Sequence, residues 1–238
     1  MLKHLSYPKT TTNVLIIEFL SEQPVGIDRV GVEKIQNYLH GIAQILNLSP
    51  HRETATHLSE KYGLSAWLPL IPSSAIHAYV WDDRQPSFVS IDICLPNNCD
   101  LNTILNYTKV YFGIDKQNLA YKMMGQVNSP TWRELDNQIW RQRLNIFSPH
   151  CQANIKAKIA SFLNNLCEVL EMKKLNEPLV ENTTAWMHWE TSGCIVDWSN
   201  NSFNLNIYTC KKFFPADAVD FTVKYFNFAR NQLVVREY

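Results

Sequence analysis

The sequence predicts an α+β fold of two repeated units, each an antiparallel sheet with helices on one face. Three observations carry that prediction. A strand–helix–strands–helix–strand order runs through the chain twice. Strings echo between the halves, SFVSIDICL (87–95) with SFNLNIYTC (202–210), TKVYFGI with TVKYFNF, and NLAYK with QLVVR, each pair 114 or 115 residues apart. Within each half, three strand-like runs follow one another through short turns, which suits hairpins and disfavours a doubly wound α/β sheet.

NVLIIEFL (13–20) is a β-branched run that reads as a buried strand. Asp28 is placed to cap a helix over 31–48, whose Val32, Ile35, Leu39, Ile42 and Leu46 recur at helical spacing. GLSAWLPLI (63–71), AIHAYVW (75–81) and SFVSIDICL read as strands, 99–112 as a helix and NLAYKMM (118–124) as a strand. The second half opens with the strand RQRLNIFSP (141–149). A helix over 153–172 follows, with Ile155, Ile159, Phe162, Leu166 and Leu170 on one face. TTAWMHWET, GCIVDW and SFNLNIYTC are its strands, followed by helix ADAVDFTVKYFNFA and strand QLVVRE. Polar GQVNSPTWRELDNQ (125–138), with Pro130, marks the joint, giving a first unit of 1–126 and a second of 127–238. Two such units bury their free sheet faces either against each other or side by side.

The 22 basic and 22 acidic residues cancel, which argues against a nucleic-acid or membrane partner and leaves small molecules as the expected ligands. The N-terminal apolar stretch of about five residues is too short for a signal-peptide core or a membrane span. The six cysteines form no CxxC pair, so a reduced, cytoplasmic setting is expected.

Ser73 and Ser74 follow Pro72 at a strand entry, where serines ordinarily bond backbone amides, and where a nucleophile is the sharper reading. His77 lies in an apolar strand and faces one side or the other, as a packed residue or as a proton donor. Cys94 and Cys210 end strands, as small hydrophobes or as reactive thiols. His188 and Glu190 of HWET share a strand face, as an acid–base pair or, more plainly, as an exposed polar face. His51, Glu53 and His57 lack the spacing of HExxH. No phosphate-cradling glycine loop and no nucleophile elbow is present. Trp67, Trp81, Trp186, Trp189 and Trp198 gather around the two hairpins and are expected to fill a core.

The doubled hairpin resembles the S-adenosylmethionine decarboxylase family. GLSAWLPLIPSSAIHAYVWDD is similar to that family's strand ending in its self-cleaving serine and the strand after it, with Trp81 on the family tryptophan. IYTCKK is similar to the family's cysteine-bearing strand end. The resemblance implies an αββα sandwich and polyamine or S-adenosylmethionine metabolism. It also implies a carbon–carbon lyase that, if active, uses a pyruvoyl group made from Ser73 or Ser74. Cys94 or Cys210 would then be the general acid, His77 or His188 a proton relay, and S-adenosylmethionine or a related amino acid or amine the ligand. The family's glutamate, serine and histidine set is incomplete in both hairpins, with Glu190 kept and Thr191 at the second serine position. The same resemblance therefore admits an inactive relative, serving as a regulatory subunit in a homo- or hetero-oligomer or as a ligand-binding module. It also admits a non-pyruvoyl enzyme with Glu190 as base.

Overall fold

A computed structural model describes residues 13–25, 29–59, 63–71, 74–82, 85–95, 99–115, 118–124, 142–151, 154–190, 192–209 and 212–237. The first half runs β1 (Asn13–Ser21), α1 (Arg29–Ile45), β2 (Ser49–Pro50), β3 (Ala55–Ser59), β4 (Gly63–Ile71), β5 (Ser74–Trp81), β6 (Ser87–Leu95), α2 (Leu101–Phe112) and β7 (Leu119–Met124). The second runs β8 (Gln142–Ser148), α3 (Ile155–Val169), β9 (Leu179–Glu181), β10 (Thr184–Trp189), β11 (Ser192–Ser199), β12 (Ser202–Thr209), α4 (Pro215–Phe226), a short 3-10 turn and β13 (Val234–Glu237).

Each half forms its own antiparallel sheet. The first has the order β2-β4-β5-β6-β1-β7, with β3 also pairing β4; the second has β13-β8-β12-β11-β10-β9. Read from the hairpin strands outward, β4-β5-β6-β1-β7 and β10-β11-β12-β8-β13 are the same arrangement, as a doubled unit requires. The expected joint and the Asp28 cap lie outside the described residues. Strands β2, β3 and β9 went unanticipated: they are edge segments of two, five and three residues, too short to show a clean alternation.

Helix ends and buried threonines repeat at an offset of 114 residues, whereas a side-chain N-cap is present at Asp100 and absent at Phe214. Asp100 caps α2 by accepting from the Asn102 amide at 3.0 Å and the Thr103 hydroxyl at 2.7 Å. The helix ends at Gly113 in the left-handed region (φ 64°), and α4 ends the same way at Asn227 (φ 51°). Buried Thr108 and Thr222 each donate to the carbonyl four residues back, Ile104 at 2.8 Å and Ala218 at 2.7 Å.

Helices cover one face of each sheet. Leu15, Ile17, Ile76, Ala78, Val89 and Ile91 meet Ile35, Leu39, Ile42 and Ile104 in one core. Leu144, Ile146, Val196, Leu205 and Ile207 meet Ile159, Phe162, Leu166 and Phe226 in the other. The opposite faces pack against each other along a third, smaller cluster of Val14, Ile16, Trp67, Ala75, Cys94, Trp186, Ile195 and Tyr208. The layers are therefore helix, sheet, sheet, helix. Among the described residues no helix is long and apolar enough to cross a membrane.

Candidate functional site between the sheets

Alternation along each strand puts odd-numbered residues of β4 and β5 on the face turned toward the second sheet. Trp67 and His77 are cross-strand partners there, as are Ser65 and Tyr79. Continuing across β6, His77 stands opposite Asp92, and Tyr79 opposite Ser90. From the second half come Trp186 and His188 on β10, Gly193 on β11 and Tyr208 on β12. This seam is polar and aromatic, unlike the two apolar outer layers.

His77 is at its centre, only 1% exposed. Its ring centroid lies 6.2 Å from that of Trp67, 6.3 Å from Tyr79, 5.8 Å from His188 and 5.9 Å from Tyr208. Burial pushes its pKa down to about 3, so the imidazole is neutral. Tyr79 Oη is 3.5 Å from Nδ1. Nε2, like Ser90 Oγ, is buried with no hydrogen-bond partner among the described residues. The ring lies directly over Gly193, where a Cβ would come within 2.3 Å of Cε1. A side chain at 193 is therefore incompatible with the sheet separation that seats His77.

His188 is also 1% exposed, so the exposed-face reading of HWET is corrected: β10 is covered on both faces. Its Nε2 shares a 3.1 Å hydrogen bond with Ser65 Oγ of the first half, and its ring stacks on Trp67 at 5.4 Å. Burial first, and then unfavourable electrostatic interaction with His77, His57 and Arg52, hold its pKa well below the ordinary histidine value. Three more contacts tie the halves together. Trp186 Nε1 donates to the Ser74 carbonyl at 3.0 Å, His51 pairs with Glu181, and His57 Nε2 approaches Glu190 Oε1 at 3.6 Å. His51 also stacks on Trp186 at 5.5 Å.

Ser74 opens β5 opposite Leu70 and is 4% exposed; its hydroxyl donates to the Cys94 carbonyl. Cys94 is fully buried in the seam cluster. His77 and Cys94 thus share the seam, whereas Ser74, by alternation on the helix-facing side with Leu70, meets it through its carbonyl, and Glu190 lies at its edge and is also bonded by Lys173 Nζ at 3.0 Å. Ser73 and Cys210 lie outside the described residues. Pairing of Leu70 with Ser74 and of Trp189 with Ser192 makes Ser192, not Thr191, the second-half counterpart of Ser74. Four of the tryptophans fill a core as expected, Trp67 and Trp186 in the seam and Trp189 and Trp198 in the outer core of the second half. Ser65, His188 and Tyr208 were not singled out together by sequence. The available signal was Gly193, a lone glycine inside an apolar strand. Among the described residues no group of three or more His, Cys, Asp or Glu is arranged to hold a metal.

No family model matches the chain, and no curated protein matches it. Among solved structures, a provisionally assigned monooxygenase from Fusobacterium nucleatum aligns over 94% of this chain and 89% of its own, at 10% identity and a TM-score of 0.24.

Proposed function

We propose that the protein is a non-pyruvoyl relative of the S-adenosylmethionine-decarboxylase type that binds a small molecule, S-adenosylmethionine or a related amino acid or amine, at the seam between its sheets. The observation that carries this reading is the seat of Ser74. A pyruvoyl group arises when a serine hydroxyl attacks the carbonyl of the residue before it. Here the hydroxyl is turned to a different carbonyl, that of Cys94, across to β6, while Ser74's own carbonyl is held by Trp186. Ser74 is also paired in a regular ladder rather than exposed in a turn. The described residues therefore do not fit that group at Ser74, and no step is routed through it.

Binding is supported by the composition of the seam. Trp67, Trp186, Tyr79 and Tyr208 make the seam aromatic, the kind of lining beside which a flat heterocycle stacks, with His188 on Trp67 and His51 on Trp186 as the rings it would displace. The unpartnered Nε2 of His77 and Oγ of Ser90 are the buried groups a ligand or water would satisfy. Two measurements test the reading. Intact mass should give one uncut chain of 27.6 kDa; cleavage into pieces of 73 and 165 residues, the longer one pyruvoyl-blocked, overturns it. S-adenosylmethionine at a concentration of about 100 Kd should stabilise the native state by about 2.7 kcal/mol and raise Tm. No shift at any concentration removes the ligand.

A further inference from the structure

The two outer cores are each built from one half alone. One draws its buried residues from between Leu15 and Met123, the other from between Leu144 and Phe226. Only the small seam cluster mixes them. Loss of docking between the sheets therefore leaves both outer cores intact. The cross-half polar contacts named above are made by His51, His57, His188 and Trp186. At the middle, His77 is enclosed by the rings of both halves and pressed on Gly193.

We propose that this seam is an acid-sensitive clasp, in which protonation of His77, with His188 beside it, undocks the second sheet from the first while each sheet keeps its helices. The groups facing His77 are Tyr79 on its own strand, Trp67 and Ser65 on β4, Asp92 opposite it on β6, His188 on β10, Gly193 on β11 and Tyr208 on β12. His57 and Arg52 stand behind His188. Asp92 is the one carboxylate among these groups, and burial opposes an imidazolium at His77. Burial dominates, since it alone accounts for the lowered His77 pKa. An imidazolium formed at the docked seam is left desolvated, and parting the sheets hydrates it. The coupling is reciprocal, because a group that is protonated more easily in the open state draws the seam open as pH falls.

Three buried thiols report the event separately. Cys94 lies in the seam, whereas Cys167 on α3 and Cys194 on β11 lie in the outer core of the second half. The full chain is labelled with a pyridyl disulfide, which reacts with thiols in acid, and read site by site by peptide mass spectrometry against the denatured chain at the same pH. Between pH 7 and about pH 4.5, Cys94 should become labelled at least about ten-fold faster while Cys167 and Cys194 stay protected. Simultaneous exposure of all three would mean global unfolding and overturn the clasp, as would continued protection of Cys94. His77→Gln and His77→Leu carry no titrating group and should keep Cys94 protected at the acid pH. If either folds cooperatively and still releases Cys94 there, the proton acts elsewhere and the assignment fails. If neither folds, the contrast among the three thiols of the unsubstituted chain decides.

Discussion

Gly193→Ala is the sharpest probe of how the two sheets fit. A Cβ at 193 would lie 2.3 Å from Cε1, 3.1 Å from Nε2 and 3.3 Å from Nδ1 of His77. Carbon atoms in comfortable contact stand about 3.5–4.0 Å apart, so the closest approach is short by more than about 1 Å. The imidazole has little room to swing away, since Trp67, Tyr79, His188 and Tyr208 surround it. Relief then requires the backbone of β11 to move against β5, an overpacking of about 1–3 kcal/mol. Removing a strand glycine returns about 0.5–1 kcal/mol of backbone entropy, leaving a net loss of about 0–2.5 kcal/mol. The same substitution in a His77→Ala background meets no ring, so it should be neutral or stabilise slightly. A double-mutant cycle in urea, followed by circular dichroism, should give a coupling of about 1–3 kcal/mol. Equal losses from Gly193→Ala in both backgrounds would refute the contact.

Three other outcomes follow from the same geometry. His77 titrates at about 3 in the fold against 6.5 in a free chain. Its stabilising contribution is therefore complete above pH 6.5 and lost as pH falls from there toward 3. The whole gap corresponds to roughly 5 kcal/mol, and urea midpoints at pH 7 and 5 should show stability falling less in His77→Gln than in the unsubstituted chain. Ser74→Ala removes the donor to the buried Cys94 carbonyl and should cost about 1 kcal/mol in urea while leaving the chain mass otherwise unchanged. Tyr38→Phe should cost about 1 kcal/mol: the Thr108 hydroxyl donates to Ile104, so Tyr38 Oη donates to Thr108 at 2.8 Å within the first core. An unchanged urea midpoint in either variant would contradict the bond.

Much of the fold was legible because its two outer layers obey simple periods. The stripe Ile35, Leu39, Ile42 located α1, although the helix ends at Ile45 rather than at residue 48, with Asn47 turning left-handed. The echo of SFVSIDICL with SFNLNIYTC found the duplication but misjudged the register by one residue. At the structural offset of 114, Cys94 matches Tyr208, and both face the seam. At 115, Phe88 would match Phe203, which instead packs under α3 and α4. A slip of one residue turns a strand inside out, so a string match could not settle which face met what. The seam itself was illegible for a related reason. Period two separates the faces of β10, but nothing in it says that both are covered, so His188 read as exposed.

The repeat also bears on how many sites the seam can hold. Pairing registers equate Trp67 with Trp186, Ala75 with Gly193, His77 with Ile195, Tyr79 with Asp197, Ser90 with Asn204 and Asp92 with Asn206. Toward the helices the matched positions are apolar in both halves, as Ala78 with Val196 and Ile91 with Leu205. Toward the seam only the tryptophans agree. Packing alone explains the outer agreement, because each sheet meets its helices in the same way. Two equivalent sites would require the seam residues to match as well, and they do not. The histidine sits in one half, the glycine that admits it in the other, and the place equivalent to His77 is filled by Ile195. Such a seam can form one asymmetric site spanning both halves, with His77 at its centre. It cannot form a pair of identical ones, and loss of either partner of the His77–Gly193 contact would disturb the whole site rather than half of it.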